Sequence, residues 1–237
     1  MALLDVLYRD DCLVAINKPD GLLVHRNRHA PHGLAALQIF REQIGRAVYP
    51  VHRLDRATSG VLVFALDSAT ANRLCDAFAA RRVRKLYRAL VRGRTLKAGE
   101  IDHPVVDEDE PIPREARSRY TPLETLTLDV EIEGRPAVYS LLEVEPETGR
   151  RHQIRRHLKH INHPIVGDTK YGRGAHNRFF RERFGVYRLL LHARSLTIPH
   201  PATGERLHLE VAETEERAWR CFREETAGCW EPTATPD

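Results

Sequence analysis

The sequence has few cysteines, no long apolar run and no signal-like N-terminus, as is typical of a soluble globular protein. Its 237 residues include one methionine and four cysteines, none of them in a CxxC pair. We therefore expect reduced thiols in a cytoplasmic protein. The longest purely apolar run, residues 61–66, falls far short of the roughly 20 residues that span a bilayer. The N-terminus, MALLDVLYRD, has no basic segment and meets an acid at Asp5, so it does not read as a secretory signal.

The motifs of several common chemistries are also absent. The sequence contains no HExxH, no GxSxG and no P-loop, and GRGAHN near residue 172 is too incomplete for a dinucleotide fingerprint. One histidine group, His152, His157, His160 and His163, suggests metal binding, but no cysteine lies with it. We therefore predict no metal site. A glycosidase usually needs two carboxylates, and only one carboxylate here stands in a suggestive context.

Basic residues are concentrated in two places. The net charge is only +4, but residues 81–94 hold seven Arg and Lys without an acid. Residues 150–160 hold five more, with three histidines, whereas acids collect at 107–110 and 213–225. Clustered arginine on a balanced protein is typical of a phosphate-rich partner such as nucleic acid. The alternative is a solvated basic face.

Hydrophobic periodicity predicts one α+β domain, because strands outnumber helices and do not alternate regularly with them. Ser68 can cap one of the helices, and Gly149 opens another. Lys18, Pro19, Asp20 and Gly21 form a predicted turn, and residues 102–118 a predicted surface loop. The predicted strands are 3–8, 12–17, 61–66, 85–91, 126–132, 138–145 and 188–201, and a further helix covers 34–44.

The helix predicted from Gly149 carries cations but no acid between residues 148 and 163. Helical spacing would align its basic side chains in two adjacent rows, separate from an apolar stripe. The first row is Arg151, Arg155 and Lys159, and the second is His152, Arg156 and His160. Such a helix could be buried on one side and present cations to a cleft.

The stretch HRLDRATSG, residues 52–60, places Asp55 between Arg53 and Arg56, just before an apolar run. Asp55 is either a turn residue held by its neighbours or a carboxylate kept ionised for chemistry. A tyrosine, Tyr87, lies on a predicted basic strand. Together with the arginine-bearing helix, these features fit a single nucleophilic carboxylate that acts on a nucleoside.

HRLDRATSGVLVFAL is similar to the central motif of the RluA-type pseudouridine synthases. The resemblance extends over nearly the whole chain, through five further motifs in the family's order. They are VLYRDDCLVAINKPDGLLVH, KLYRALVRG, ETGRRHQIRRHL, HPIVGDTKYG and LLLHARSLTIPHPATGE. It implies the pseudouridine synthase catalytic fold, an α+β fold whose central, mainly antiparallel mixed sheet has flanking helices and an active-site cleft. It also implies one catalytic domain over residues 1–230, without the S4-type domain of many relatives. We expect residues 231–237 to be a disordered tail.

The resemblance also implies roles for residues. Asp55 matches the catalytic aspartate, Tyr87 the active-site tyrosine that packs against uracil, and Arg155 the arginine that pairs with the aspartate. Lys18 and Pro19 match a turn that we interpret as structural. The expected RNA contacts are Arg53, Arg56, Lys85, Arg151, His152, Gln153 and Arg156.

Pseudouridine formation moves uracil from an N-glycosidic to a C-glycosidic bond and needs no cofactor. Asp55 would assist by nucleophilic attack or by proton abstraction from the sugar, and both roles remain open. A stacked uridine must also be flipped out of its helix.

The expected partner is RNA. Three features resemble the members of this family that modify tRNA, at position 65 on the T-stem side of the acceptor arm. They are the segment GLLVHR, the basic residue in GRRHQIR and the segment NRFFRERFGVYRLLLHA. A uridine of 23S ribosomal RNA is the alternative substrate. A non-catalytic RNA-binding module is the alternative of a different class, and the oligomeric state is not predicted.

Overall fold

The structure, a computed structural model, describes residues 3–26, 33–107, 111–212 and 217–233. The chain forms two compact units. The first unit contains Met1–Lys85 and Ala193–Val211, and the second contains Leu86–His192 and Ala212–Asp237. Strands β5 (Arg84–Arg92) and β11 (Leu191–Pro199) each include one of these boundaries. The expectation of one domain over residues 1–230 stays a prediction.

The first unit is a sheet with two helices. Its strands follow the order β1, β2, β4, β11, β12, with β3 beside β4. Strand β2 pairs antiparallel with both β1 and β4. The elements are β1 (Asp5–Arg9), β2 (Leu13–Lys18), α1 (Ala36–Ile44), β3 (Tyr49–Pro50), β4 (Ser59–Ala65), α2 (Ser68–Ala79) and β12 (Arg206–Glu210).

Both faces of strand β4 are buried, which explains its unbroken apolar sequence. Val61 and Val63 belong to a core cluster that includes Leu74 of α2. Phe64 points the other way, and its ring stacks on that of Phe40 in α1 at 5.8 Å. The two helices therefore cover opposite faces of the sheet.

The second unit is built around a long hairpin. Strands β9 and β10 pair antiparallel, and β5 adds to the other side of β10. Glu133 and Gly134 join the hairpin with φ values of 54° and 71°, as a two-residue hairpin turn of type I′ requires. The elements are β6 (Gly99–Asp102), β7 (Val105–Val106), β8 (Pro113–Arg114), β9 (Arg117–Ile132), β10 (Arg135–Pro146), α3 (Gln153–His160), α4 (Gly174–Phe184), α5 (Arg217–Glu225), a short 3-10 helix (Ala227–Cys229) and β13 (Trp230–Pro232).

Aromatic side chains fill the core of this unit. Tyr139 of β10 meets Phe180 of α4 edge to face at 4.8 Å, and its hydroxyl lies 2.8 Å from His176 Nδ1. Trp219 of α5 is fully buried in the same cluster. The α+β class, with largely antiparallel strand pairs and flanking helices, is confirmed.

Some local predictions were wrong. Asp67, not Ser68, caps α2, because its carboxylate accepts from Thr70 N at 2.8 Å. Residues 102–118 are not simply a loop, since they include the antiparallel pair of β7 and β8 and the start of β9. Residues 231 and 232 belong to β13, which pairs with β9. The rest of the predicted tail, apart from Thr233, lies outside the described residues.

Within the described residues, no helix is both long enough and apolar enough to cross a membrane.

Candidate active site

The loop that carries Asp55 is a tight turn before strand β4. Thr58 N–H donates to the Asp55 carbonyl at 3.1 Å and closes the turn. Leu54 is buried, whereas Arg53 and Arg56 are exposed and Asp55 is half-buried. The backbone thus anchors the loop through Leu54 and brings Asp55 to the protein surface between two cations.

Lys18 is the main internal support of this loop. Its side chain is fully buried, and its ammonium group donates to the carbonyls of Pro19 at 2.7 Å, Leu22 at 2.8 Å and Arg56 at 3.3 Å. A buried ammonium is stable only when its three donors find acceptors. Arg56 adds a second link, because its Nε donates to Gly21 O at 2.9 Å. Lys18 therefore ties the loop around Asp55 to the turn at residues 19–22.

His52 and Gly60 position the two ends of the loop. Val63 N–H donates to His52 Nε2 at 3.0 Å, and the ring stacks on Phe78. Burial, with a smaller contribution from the charge of Lys85, lowers the pKa of His52 to about 3, so the ring is neutral and can accept this bond. Gly60 has a φ of 109°, and a Cβ there would lie 2.2 Å from the Ala193 carbonyl oxygen. Only glycine fits at this close approach.

Tyr87 lies on β5, as predicted, and pairs with Val144 of β10. Its side chain is half-buried. The next residue, Arg88, is buried and forms an ion pair with Glu143. The basic strand is therefore partly an interior element, and Arg88 is unsuited to direct contact with RNA.

Helix α3 begins at Gln153, not at Gly149. His152 adopts the left-handed conformation, with a φ of 56°. The Gln153 side chain accepts from Arg150 N at 3.0 Å and from the Thr148 hydroxyl at 2.6 Å. These bonds stabilise a turn over residues 148–152 instead of a first helical turn. The predicted cationic rows are therefore wrong, because Arg151 and His152 precede the helix.

Gln153 itself is buried, and its amide nitrogen donates to Arg117 O at 2.8 Å and to Ser118 Oγ at 3.0 Å. Its amide atoms are thus engaged within the protein. The predicted contact of Gln153 with RNA stays a prediction. His157 is similar, since its ring nitrogens lie 3.0 Å from Ser118 Oγ and 2.9 Å from His103 O.

Arg155 is buried and forms a bidentate ion pair with Asp168. Its Nε donates to Asp168 Oδ2 at 2.8 Å and its Nη2 to Oδ1 at 2.9 Å. The two side chains are 9% and 1% exposed. Burial acts to raise the pKa of Asp168, but the hydrogen bonds and charge of Arg155 outweigh it and lower this pKa below its usual value. The pair is therefore ionised at neutral pH.

Tyr171 lies beside this pair and organises the remaining cations. The Arg155 guanidinium carbon is 5.1 Å from the centre of the Tyr171 ring, within cation–π range. Arg156 Nε donates to the Tyr171 hydroxyl at 3.0 Å, and His152 Nδ1 lies 3.1 Å from the same oxygen. Three predicted site residues, His152, Arg155 and Arg156, are thus brought together around a tyrosine without a predicted role.

The other predicted site residues stand as follows. Arg151 is half-buried and pairs with Asp107 at 3.3 Å. Lys85 is half-buried at the start of β5. Asp55 belongs to the first unit, whereas Tyr87 and Arg155 belong to the second. The pairing of Arg155 with Asp55 stays a prediction.

Sequence reasoning missed Asp168, although a signal existed. Residues 148–167 contain no acid, so Asp168 is the first carboxylate after the basic segment. A buried arginine needs a counter-charge, and Asp168 was the nearest candidate downstream. In the sequence, the motif HPIVGDTKYG indicates only the resemblance to the family and not the role of Asp168.

Fold and site together define an RNA-modifying enzyme of the pseudouridine synthase class. Residues 12–160 match the family described as RNA pseudouridylate synthase. The match covers more than half of the chain, and the protein belongs to this family. Its activity is the isomerisation of uridine in RNA.

Curated relatives agree with this assignment. The chain is 45% identical over 218 residues to tRNA pseudouridine synthase C of Vibrio cholerae, covering 86% of this chain and 89% of that protein. It is 46% identical over 220 residues to the protein of the same name from Haemophilus ducreyi, covering 88% and 90%. Human RNA Pseudouridylate Synthase Domain Containing 1 has a similar solved structure, with a TM-score of 0.74 at 25% identity over 99% of this chain and 90% of that one.

Proposed function

We propose that this protein converts a uridine of tRNA to pseudouridine in the cytoplasm, on the T-stem side of the acceptor arm at position 65. The Asp55 turn carries the proposal, since Lys18, Arg56 and Gly60 hold a single half-buried carboxylate before β4. The names of the two bacterial relatives support tRNA as the substrate. The resemblance of the GLLVHR and NRFFRERFGVYRLLLHA segments supports the position.

In this proposal Asp55 is the catalytic carboxylate. It assists cleavage of the N-glycosidic bond, by attack or by removing a sugar proton, and the released uracil rejoins the sugar through C5. The proton on C5 must then leave. Tyr87 packs against the uracil ring and relays that proton. Arg155 supplies the guanidinium that pairs with this carboxylate.

RNA binding is proposed to use cations that the fold leaves near the surface. Arg53 and Arg56 are exposed on either side of Asp55. We assign them contacts to phosphates or to the space that the flipped base vacates. Lys85, Arg151, His152 and Arg156 are half-buried, and we assign them further contacts to RNA phosphates.

The test is release of tritium from C5-labelled uridine in unmodified tRNA, with chemical mapping of the modified position. We expect one pseudouridine at position 65 and none in a 23S ribosomal RNA transcript. Asp55→Asn preserves size and removes the charge, so turnover should vanish while folding and tRNA binding persist. Asp76→Asn, an exposed site on α2, is the isosteric control and should retain activity.

Modification of the ribosomal transcript in place of tRNA would reject the substrate. Wild-type binding without any tritium release would favour the RNA-binding module. A folded Asp55→Asn protein with normal turnover would reject the mechanism.

A further inference from the structure

Asp168 is held more firmly than an ordinary partner of a salt bridge. Its Oδ1 accepts from the backbone N–H groups of Lys170 and Tyr171, both at 2.9 Å, in addition to Arg155. Its carbonyl accepts from Gly172 N at 3.0 Å and from Asn177 Nδ2 at 2.9 Å. These bonds therefore fix the position of the carboxylate independently of its pairing with the guanidinium.

The loop around Asp168 is fixed by close backbone approaches. Gly167 has a φ of 79°, and a Cβ there would lie 1.8 Å from the Arg188 carbonyl oxygen. A Cβ on Gly172 would lie 2.2 Å from the Asp168 carbonyl oxygen. Asn177 Oδ1 also accepts from Gly167 N at 2.8 Å. The glycines on both sides of Asp168 thus keep this loop in one conformation.

Two different contacts restrain the Arg155 guanidinium. Asp168 holds its Nε and Nη2 edge, and the Tyr171 ring lies within cation–π range of its central carbon. A guanidinium carries five N–H donors, and a bidentate carboxylate uses two of them. The direction of the other donors is therefore set by Asp168.

We propose that Asp168 is a positioning residue for Arg155 in pseudouridine formation. It fixes the guanidinium in one orientation, so that the remaining N–H donors have a defined place when the reaction occurs. The inference rests on the proposed function, in which Arg155 serves the reacting carboxylate. Stability alone does not explain the buried pair of Arg155 and Asp168, since apolar residues of similar volume often stabilise a core as well or better.

The experiment compares Asp168→Asn and Asp168→Glu with Glu124→Gln. Glu124 forms the matched control pair, since it also binds an arginine of the second unit, Arg223, through two contacts of 2.6 and 3.3 Å. We expect Asp168→Asn to lower kcat on tRNA by about 10- to 100-fold, the scale of a misplaced catalytic group. KM should change less than about twofold, because positioning acts on the chemical step. Asp168→Glu keeps the charge and should restore part of kcat, and Glu124→Gln should retain it.

A second readout follows Arg155 directly. In ¹⁵N-labelled protein the Arg155 Nε–H signal should be protected from exchange in the wild type and in Glu124→Gln, and exposed to exchange in Asp168→Asn. A kcat for Asp168→Asn no lower than that of Glu124→Gln would overturn the positioning role. Unfolding of both Asp168 variants would also overturn it and assign Asp168 to the core. A wild-type protein that binds tRNA without turnover would instead reject the proposed function.

Discussion

Removing the Arg155 side chain should destabilise the protein through Asp168. Arg155→Ala leaves a carboxylate that is 1% exposed without its bidentate partner. Breaking a buried pair in this way costs about 3 to 5 kcal/mol. Asp168 keeps its two backbone donors, Lys170 N and Tyr171 N, so we expect the lower end, about 3 kcal/mol. For a chain of this size, that loss lowers Tm by about 6 to 12 °C.

The loss should depend on pH in a defined direction. The wild-type pKa of Asp168 is lowered by Arg155, so this contribution to stability is present above the unfolded pKa and is lost as the pH falls through the lower folded value. In Arg155→Ala, we expect burial to dominate and to raise the pKa of Asp168. Protonation of Asp168 then removes the unpaired charge from the variant. The difference in unfolding free energy between the wild type and Arg155→Ala should therefore be largest at pH 7 and smaller near pH 4.

Thermal and urea unfolding of three variants measures this effect. Arg155→Ala/Asp168→Asn should regain much of the loss, because no unpaired charge remains. Arg183→Ala removes an exposed pair with Glu225, whose side chains are 60% and 42% exposed, and should cost less than about 1 kcal/mol. An Arg155→Ala protein with a wild-type Tm would refute the reasoning. A double variant Arg155→Ala/Asp168→Asn that is less stable than Arg155→Ala would also refute it.

Three further predictions concern binding and folding. Neutralising Arg151 and Arg156 together should flatten the slope of log affinity for tRNA against log salt by about 1 to 2; an unchanged slope would mean that they serve only internal contacts. Gly60→Ala should cost about 3 kcal/mol through its clash and its positive φ, and a normal urea midpoint would contradict this. The pKa of Asp10 is lowered to about 2 because hydrogen bonds from Tyr8 and His200 outweigh burial. Asp10→Asn should therefore cost up to about 2 kcal/mol at pH 7, and this cost should shrink between pH 4 and pH 2; a pH-independent cost would disprove it.

Much of the fold could be read from local patterns. The apolar run at residues 61–66 lies largely in β4, and the alternating basic segment around Tyr87 lies in β5. The turn at Gly21 formed with a φ of 75°. These predictions succeeded because burial on two faces and a positive φ leave direct traces in residue type.

The helix at residues 153–160 shows what local patterns miss. Its periodicity extends back to Gly149, yet the Gln153 side chain binds the backbone of Arg150 and His152 takes a left-handed conformation. Side-chain bonds to the backbone compete with helix formation. The spacing of charges alone does not show whether residues 149–152 form a helical turn or a turn held by the Gln153 side chain.

Sequence alone determined which residue types the candidate site could use: a lone aspartate among arginines, a tyrosine on a strand and a basic helix. Only the tertiary structure decided which of those charges are available. Arg88 and Arg155 are buried against Glu143 and Asp168, which lie 55 and 13 residues away along the chain. A charge pairs with whatever the fold brings near it, and burial makes that pairing obligatory. Counting arginines in a segment therefore predicts a partner's charge, but the packing of the chain decides which arginines can meet it.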